Sequence, residues 1–393
     1  LRRLAALERM KIENEYKEIQ AKIEEYNSIL ESQDKILEVI NSDLEEIKER
    51  YGDERRTKVI KGKVNEISEE DMVAAEDTLV TITHSGYIKR LSPNTYKAQN
   101  RGGKGVSGGE TKEGDFIEHA FLCNTHDELL LFTNMGKVYN LRIFEIPELG
   151  RTAKGLPLVN LIQLDQNEVV TSVLTRNPKG EISKDIEGGE QKEYKYFLMV
   201  TEKGVVKKTE LKEFSKIRSN GLTAIKLEEG DQLIWVKPTT GADQVITVTK
   251  EGKSIRFKES DVRPMGRSTR GVTGIKFKKS DDCVIGMGIV DNDNQQLLTL
   301  SENGYGKMSL LKEYGVQKRG GTGIFTFRVT GKTGSIASAR ILSEKDEEIV
   351  VISEKSKVIR SNLKDVPTLK RQTSGVKVMN INGGDRVATV AIL

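Results

Sequence analysis

Apolar residues in the first fifty positions recur at the spacing of an amphipathic helix. Between residues 12 and 30 they are separated by alternating intervals of 4 and 3, and a second series of this kind spans residues 37–51. This spacing is the a/d seam of a coiled coil. With turn and capping residues between the two series, it predicts an antiparallel α-helical coiled-coil hairpin over residues 1–52. We expect the two seams to pack mainly against each other; a dimer contact at the exposed end is the weaker alternative.

From residue 76 onward the pattern changes to short strands and turns, and one unit of roughly 50 residues occurs six times. Each repeat opens with an apolar strand, passes a turn that is a glycine in five of the six copies, continues into a basic second strand and reaches a second glycine. The first strands are expected at residues 78–83, 128–133, 196–201, 244–249, 296–301 and 348–353. The second glycines of repeats 1 to 6 are Gly105, Gly155, Gly221, Gly271, Gly323 and Gly375. The pattern predicts a mainly β fold, a six-bladed propeller-like disc in which each blade covers its neighbour.

The domain boundaries follow from these two patterns. We expect the helical segment at 1–52, a charged linker at 53–75 and the disc at 76–393, with a disordered polar insertion at about 176–193. The chain does not begin with Met, which suggests a fragment. No apolar run is long enough to span a membrane, so no membrane partner is expected, and two unmatched cysteines fit a reducing cytosol.

Charge is divided unevenly along the chain. The formal net charge is +4, but residues 1–56 contain 11 basic and 15 acidic residues, so the basic excess lies in the repeats. That excess is modest, and the positions of the cations matter more than their number.

The loop before the second glycine is basic in every repeat. In repeat 1 it is the loop Gln99, Asn100, Arg101, Gly102, Gly103, Lys104 and Gly105. Its glycines let the backbone approach a partner closely, and its two cations with the backbone N–H groups suit a phosphate. The alternative is a solvated turn that only needs glycine. Six basic copies at one structural position favour anion binding.

The second strands are basic as well, and equivalent positions on a closed disc would form a belt. A belt of Lys and Arg is an electrostatic track for DNA that reads no sequence. Few aromatic residues interleave with these cations, which favours duplex over single-stranded DNA. The predicted rim cations are Lys89, Arg90, Lys137, Arg142, Arg151, Lys154, Lys207, Lys208, Arg218, Lys253, Arg256, Arg267, Arg270, Lys307, Lys318, Arg319, Lys357, Arg360 and Arg371.

Patterns that mimic other chemistry fail on inspection. The spacing of His119, Cys123 and His126 resembles a zinc site but lacks a fourth ligand. Residues 252–254 and 331–333 resemble the end of a P-loop, but the glycine five residues earlier is missing in both. No nucleophile and base recur with plausible geometry. We therefore expect no catalytic, metal or cofactor site in this chain.

Residues 81–91, followed by the loop at 99–106, resemble the start of the C-terminal domain of DNA gyrase A. The loop Gln99 to Gly105 is similar to that family's GyrA-box, with Asn100 where a basic residue is usual. Upstream, residues 7–16 and 51–57 resemble the end of the breakage–reunion region, where a coiled coil leads to the dimer gate. The resemblance covers essentially the whole chain.

The resemblance implies a six-bladed β-pinwheel that wraps duplex DNA around its rim with positive handedness. Such wrapping supports ATP-dependent negative supercoiling by a cytoplasmic, nucleoid-associated type IIA topoisomerase. The implied partners are double-stranded DNA, gyrase B and a second copy of gyrase A. ATP, Mg²⁺ and the catalytic Tyr would belong to other parts of the holoenzyme, so this chain alone would not cut DNA.

Two alternatives remain open. The paralogous protein of topoisomerase IV decatenates DNA and has a degenerate box, whereas the loop at 99–105 is nearly intact. A propeller that binds proteins is the alternative from another class of function.

Overall fold

The computed structural model describes residues 2–53, 57, 72–92, 115, 117–150, 152–182, 193–343, 346–354, 358–381 and 384–392. The chain divides into two compact units, Leu1–Glu66 and Ile67–Leu393. That division falls inside the predicted linker at 53–75, most of which lies outside the described residues. Most of the polar insertion expected at 176–193 lies outside them as well.

The first unit contains the two predicted helices, α1 (Arg2–Leu30) and α2 (Gln33–Tyr51). The packing expected of their seams is not observed, because the seam side chains from Ile12 to Tyr51 are 47–77% exposed in the described structure. A coiled-coil seam identifies the helix face that requires a partner but not the segment that supplies it. Neither helix, where described, is long and apolar enough to cross a membrane.

The second unit is built from short strands. In chain order they are β1 (Asp77–Thr83), β2 (Tyr87–Leu91), β3 (Ile117–Asn124), β4 (Glu128–Thr133), β5 (Lys137–Arg142), β6 (Leu156–Pro157), β7 (Val170–Arg176), β8 (Tyr196–Thr201), β9 (Val205–Glu210), β10 (Leu222–Thr223), β11 (Leu233–Thr239), β12 (Gln244–Thr249), β13 (Lys253–Lys258), β14 (Val272–Thr273), β15 (Val284–Val290), β16 (Gln296–Ser301), β17 (Tyr305–Leu310), β18 (Ile324–Phe325), β19 (Ile336–Leu342), β20 (Glu348–Ser353), β21 (Val358–Asn362), β22 (Val376–Lys377) and β23 (Val387–Ile392).

These strands form six antiparallel sheets, which confirms the predicted six-bladed fold. Three long strands of each blade come from one repeat, in the order third, first, second. In blades 1 to 5 a fourth strand of two residues comes from the next repeat: β6 pairs with β2, β10 with β5, β14 with β9, β18 with β13 and β22 with β17. Each repeat therefore completes the blade before it. In the described residues the sixth sheet is β21-β20-β23.

Five of the six first strands occupy the predicted residues, and the first begins one residue earlier, at Asp77. The hairpin turns explain this agreement. The turn glycines Gly86, Gly136, Gly204, Gly252 and Gly304 all have φ between +74° and +81°, a conformation that disfavours other residues.

The acidic turns that precede the third strands stabilise these hairpins. A carboxylate oxygen of Asp115 accepts the N–H of Ser85 at 2.9 Å, and Asp231 accepts the N–H of Lys203 at 2.9 Å. Repeat 2 uses a buried glutamate instead: Glu168 accepts the hydroxyl of Tyr139 at 2.9 Å. Burial and this bond raise the pKa of Tyr139 to about 12.

Five clusters of buried apolar side chains lie between successive blades. Between blades 2 and 3, the rings of Phe132, Phe197 and Phe214 meet edge to face with centroids 5.1–6.2 Å apart. Both faces of an interior blade are therefore covered by its neighbours, and this decides which cations can reach solvent.

Candidate nucleic-acid interface

Part of the predicted interface lies outside the described residues: the loop at 99–105, Arg151 and Lys357. The described part of the interface consists of the other loops and the second strands.

In repeats 2 to 6 the second glycine lets the loop lie against the second strand of the preceding blade. Gly155 and Gly271 both have φ of +96°. A Cβ at Gly155 would lie 2.8 Å from the carbonyl oxygen of Ile88, and one at Gly271 would lie 2.8 Å from that of Val206. Close packing thus explains these glycines without any ligand. It does not explain the cations beside them.

Lysines at the third position after the turn glycine are buried in blades 1, 3 and 5. These are Lys89, Lys207 and Lys307, each at most 5% exposed. The prediction that they lie on the outer rim is wrong. Neighbouring blades cover both faces of the second strand, so these side chains are buried between blades. Their ammonium groups cannot contact a duplex from there.

Each of these ammonium groups donates to the basic loop of the next repeat. Lys89 Nζ donates to the carbonyl oxygen of Ala153 at 2.8 Å, and Lys307 Nζ to those of Lys370 and Arg371 at 2.7 and 2.6 Å. Lys207 donates to the carbonyl of Arg267 and, at 2.8 Å, to that of Ala224. Buried cations need such acceptors. Burial lowers the pKa of Lys207 and of Lys307 to about 8.

Cations at the fourth position after the turn glycine form hydrogen bonds that connect successive repeats. Lys208 and Arg256, 4% and 6% exposed, were also predicted on the rim and are buried. Lys208 Nζ donates to the carbonyl of Glu259 at 3.1 Å, and the guanidinium of Arg256 donates to that of Leu311 at 3.0 Å. The half-buried Arg90 makes the equivalent bond to Ile146 at 2.8 Å. All three acceptors lie in or just after the short 3-10 turn that follows the next second strand.

The remaining second-strand cations are engaged locally, whether they occupy other registers or, like Arg360 in the last repeat, the register of Arg256. Lys137 pairs with Asp165 at 2.5 Å, which raises the pKa of Lys137. The ammonium of Lys253 lies 3.4 Å from the ring centroid of Phe325. The exposed Arg360 pairs with Glu348, and the exposed Arg142 lies over the ring of Phe144. These residues do not form the single belt that the sequence suggested.

The loops, in contrast, keep their cations at the surface. The half-buried arginines Arg267, Arg319 and Arg371 stand four residues before the second glycine and donate to the carbonyls of residues 223, 273 and 325, at 3.4, 3.1 and 3.0 Å. Each acceptor is the last residue of the strand that the preceding repeat exchanges. A guanidinium has five donors, so these bonds leave others for a ligand.

Three further loop cations are exposed, and a fourth, Lys154, is half-buried. Arg218 and Lys318 are exposed and make no side-chain hydrogen bond or ion pair within the part of the chain that is described. Arg270 is exposed and pairs with Glu228 at 3.4 Å. Lys154 lies 3.9 Å from the ring centroid of Tyr87. The cations that can meet an anion are therefore mainly those of the loops.

Three exposed cations were not selected from the sequence. Lys226, Lys276 and Arg328 lie five residues after the second glycine of repeats 3, 4 and 5. Their signal was present as an apolar–cation–apolar triplet at a fixed distance from that glycine, at 225–227, 275–277 and 327–329.

The described residues contain no cluster of three or more His, Cys, Asp or Glu side chains that could hold a metal ion. The buried Cys123 contacts the carbonyl oxygen of Thr78 at 3.7 Å, and burial raises its pKa to about 12, so its thiol is protonated at neutral pH. The chemistry that this surface offers is electrostatic binding of an extended anion.

Comparison with known proteins gives a consistent result. The family described as "DNA gyrase C-terminal domain, beta-propeller" matches the chain over residues 77–124, 127–177, 195–240, 243–291, 295–343 and 347–393. The DNA gyrase A protein of Staphylococcus epidermidis is 38% identical over 392 residues, which are 100% of this chain and 42% of that protein. The gyrase A protein of Clostridium acetobutylicum is 43% identical over 391 residues, 100% of this chain and 45% of that protein. The chain therefore spans less than half the length of these relatives.

Two solved structures are similar. The C-terminal domain of DNA topoisomerase IV superposes with a TM-score of 0.67 and 29% identity, covering 82% of this chain and 94% of that one. The C-terminal domain of DNA gyrase A superposes with a TM-score of 0.62 and 31% identity, covering 81% and 99%.

Proposed function

The chain belongs to the family of DNA gyrase C-terminal β-propeller domains, and we propose that its blades bind duplex DNA and wrap it around their outer rim. The observation that supports this most directly is the recurrence of loop arginines at one structural position in repeats 4, 5 and 6. Each is held at the surface by the preceding repeat. A series of fixed cations on successive blades suits the regular phosphates of a duplex.

The proposed binding is independent of base sequence. Lys and Arg that neutralise phosphates release condensed counterions, which gives affinity and a steep salt dependence. In the intact enzyme, we propose that the wrapped segment is presented for ATP-dependent negative supercoiling with gyrase B and a second copy of gyrase A, in the bacterial cytoplasm. ATP, Mg²⁺ and the catalytic Tyr would be supplied elsewhere in that assembly.

Within the interface, we assign direct phosphate contact to the loop cations, including Arg101, Lys104 and Arg151. The buried Lys89, Lys207, Lys208, Arg256 and Lys307 instead hold the blades and loops in position. This revises the predicted belt on the second strands, because an ammonium that is enclosed by carbonyls does not reach a phosphate.

A topology assay tests the proposal. The chain is bound to nicked circular DNA, the nick is sealed, and the topoisomers are separated. We expect a shift toward positive writhe. The variant with Arg101→Ala and Lys104→Ala should lose this shift and lower the slope of log K against log salt by about 2, since each phosphate contact contributes about 0.9. Unchanged DNA binding by this variant would favour the protein-binding alternative.

The similarity to topoisomerase IV supports a second candidate, decatenation, because its C-terminal domain superposes at least as well as that of gyrase. The two functions are separated by reconstituting the full-length protein with its partner. Supercoiling of relaxed circles supports gyrase, and decatenation without supercoiling supports topoisomerase IV.

A further inference from the structure

Lys226, Lys276 and Arg328 occupy one register position in three consecutive repeats. Each cation stands between two apolar residues whose side chains pack into the cores between blades, such as Ile225 and Leu227 around Lys226. Because the flanking side chains point inward, the middle one points to solvent, and all three cations are exposed. Burial of their neighbours therefore fixes their outward direction.

Strand exchange places each of these cations against the basic loop of the next repeat. The backbone N–H of Lys226 donates to the carbonyl of residue 269 at 3.0 Å, that of Lys276 to residue 321 at 2.9 Å and that of Arg328 to residue 373 at 3.1 Å. The arginine of each of those loops is bound to the carbonyl three residues before the cation. Three residues of extended chain span about 10 Å. Every junction between successive repeats from repeat 3 to repeat 6 therefore presents two neighbouring cations.

The three side chains are available to a ligand. Within the described ranges, none of them makes a hydrogen bond or ion pair, whereas the nearby Glu228 is already paired with Arg270. The same position holds Asn160 in repeat 2 and Asn380 in repeat 6. The row is thus confined to repeats 3, 4 and 5.

We propose that Lys226, Lys276 and Arg328 form a second row of phosphate contacts, which with the neighbouring loop arginines holds one DNA duplex across repeats 3 to 5. This rests on the proposed function, since it names further residues of the same surface. It also implies that repeats 3 to 5 contribute strongly to DNA binding, in addition to the loop of repeat 1. The contacts are to phosphate and carry no preference for base sequence.

The test compares two variants with equal loss of charge. The first combines Lys226→Gln, Lys276→Gln and Arg328→Gln. The control combines Lys212→Gln, Lys312→Gln and Lys364→Gln, three exposed lysines in the 3-10 turns at the far end of the second strands from the hairpin turns. Binding of the whole chain to a duplex is measured over a range of salt concentrations. We expect the slope of log K against log salt to fall by about 2 to 3 in the first variant and by less than about 1 in the control.

The outcomes distinguish a failure of the second row of contacts from a failure of the proposed DNA binding. An unchanged slope in the first variant, or an equal fall in both variants, overturns the second row. A chain that shows no salt-dependent binding to duplex DNA even when unaltered overturns the proposed function itself. A third variant with Lys226→Arg, Lys276→Arg and Arg328→Lys keeps the charges and should retain the original slope. If it loses binding as the first variant does, charge is not the cause and the proposal fails.

Discussion

The second strands and the loops of the disc both contain many cations, but the structure places them in opposite environments. Lys307 on β17 is fully buried, and its ammonium is bonded to carbonyls of the next loop. Lys318, eleven residues later in a loop, is exposed and makes no side-chain bond in the described structure. In a propeller, both faces of a strand are covered by neighbouring blades, so only positions on the outer edge reach a ligand. The buried second-strand lysines hold successive repeats together, whereas exposed loop cations such as Lys318 can reach a ligand.

Removal of a buried lysine should have the largest effect. Lys307→Ala removes a donor from two carbonyls and a threonine hydroxyl and opens a cavity beside Phe327, on the side of blade 5 that faces blade 4. We expect it to lower the free energy of unfolding by about 2–4 kcal/mol, measured by urea denaturation. Lys318→Ala, the matched loop substitution, should change it by less than about 0.5 kcal/mol. Equal effects at the two sites would show that the buried strand lysine stabilises the fold no more than the exposed loop lysine does.

A substitution at a second glycine should have an intermediate effect and should link the two regions. Gly271→Ala places a Cβ on a residue with φ of +96° and 2.8 Å from the carbonyl oxygen of Val206. We expect a loss of about 1–3 kcal/mol in unfolding experiments, together with weaker DNA binding because the loop of Arg267 is displaced. Gly315→Ala is the control, because nothing lies within 4 Å of its Cβ and its φ is not positive. A stable Gly271→Ala variant would show that the loop does not need this close approach.

The sequence predicts the bounds of the strands well, but it does not predict which second-strand cations are buried. One physical difference explains both results. The bounds of a strand such as β12 follow from local information: alternating apolar residues and a turn glycine. Whether Lys207 is exposed depends on which segment covers the face of β9, and that segment lies about 60 residues later in the chain. The two-residue exchanged strands, such as β14, are too short to show a period.

The same limit applies to the helices. The 3-4 spacing of apolar residues correctly predicts α1 and α2, since helical periodicity is visible within one turn. It does not reveal what covers the seam, and Ile12 and Leu44 remain 66% and 57% exposed. In the loops, by contrast, sequence reasoning identified the arginines that the structure places at the surface. The glycine and the cations that identified these loops are close together in sequence, although the carbonyls that hold the arginines belong to the preceding repeat.

The smallest expected effect concerns pH, and it sharpens the contrast because only the buried lysines should show it. The pKa of Lys207 and of Lys307 is about 8 in the folded chain, whereas an unfolded lysine titrates near 10.4. Between pH 8 and 10 the unfolded chain thus binds more protons at these sites, so their contribution to the free energy of unfolding rises with pH. Relative to the variant with Lys207→Met and Lys307→Met, the unaltered chain should gain about 1 kcal/mol between about pH 7 and pH 8.2, followed by urea denaturation at each pH. The control is the loop variant Lys318→Met with Lys370→Met, which removes two exposed lysines. A difference that stays constant with pH would mean that both ammonium groups titrate normally and that solvent reaches them.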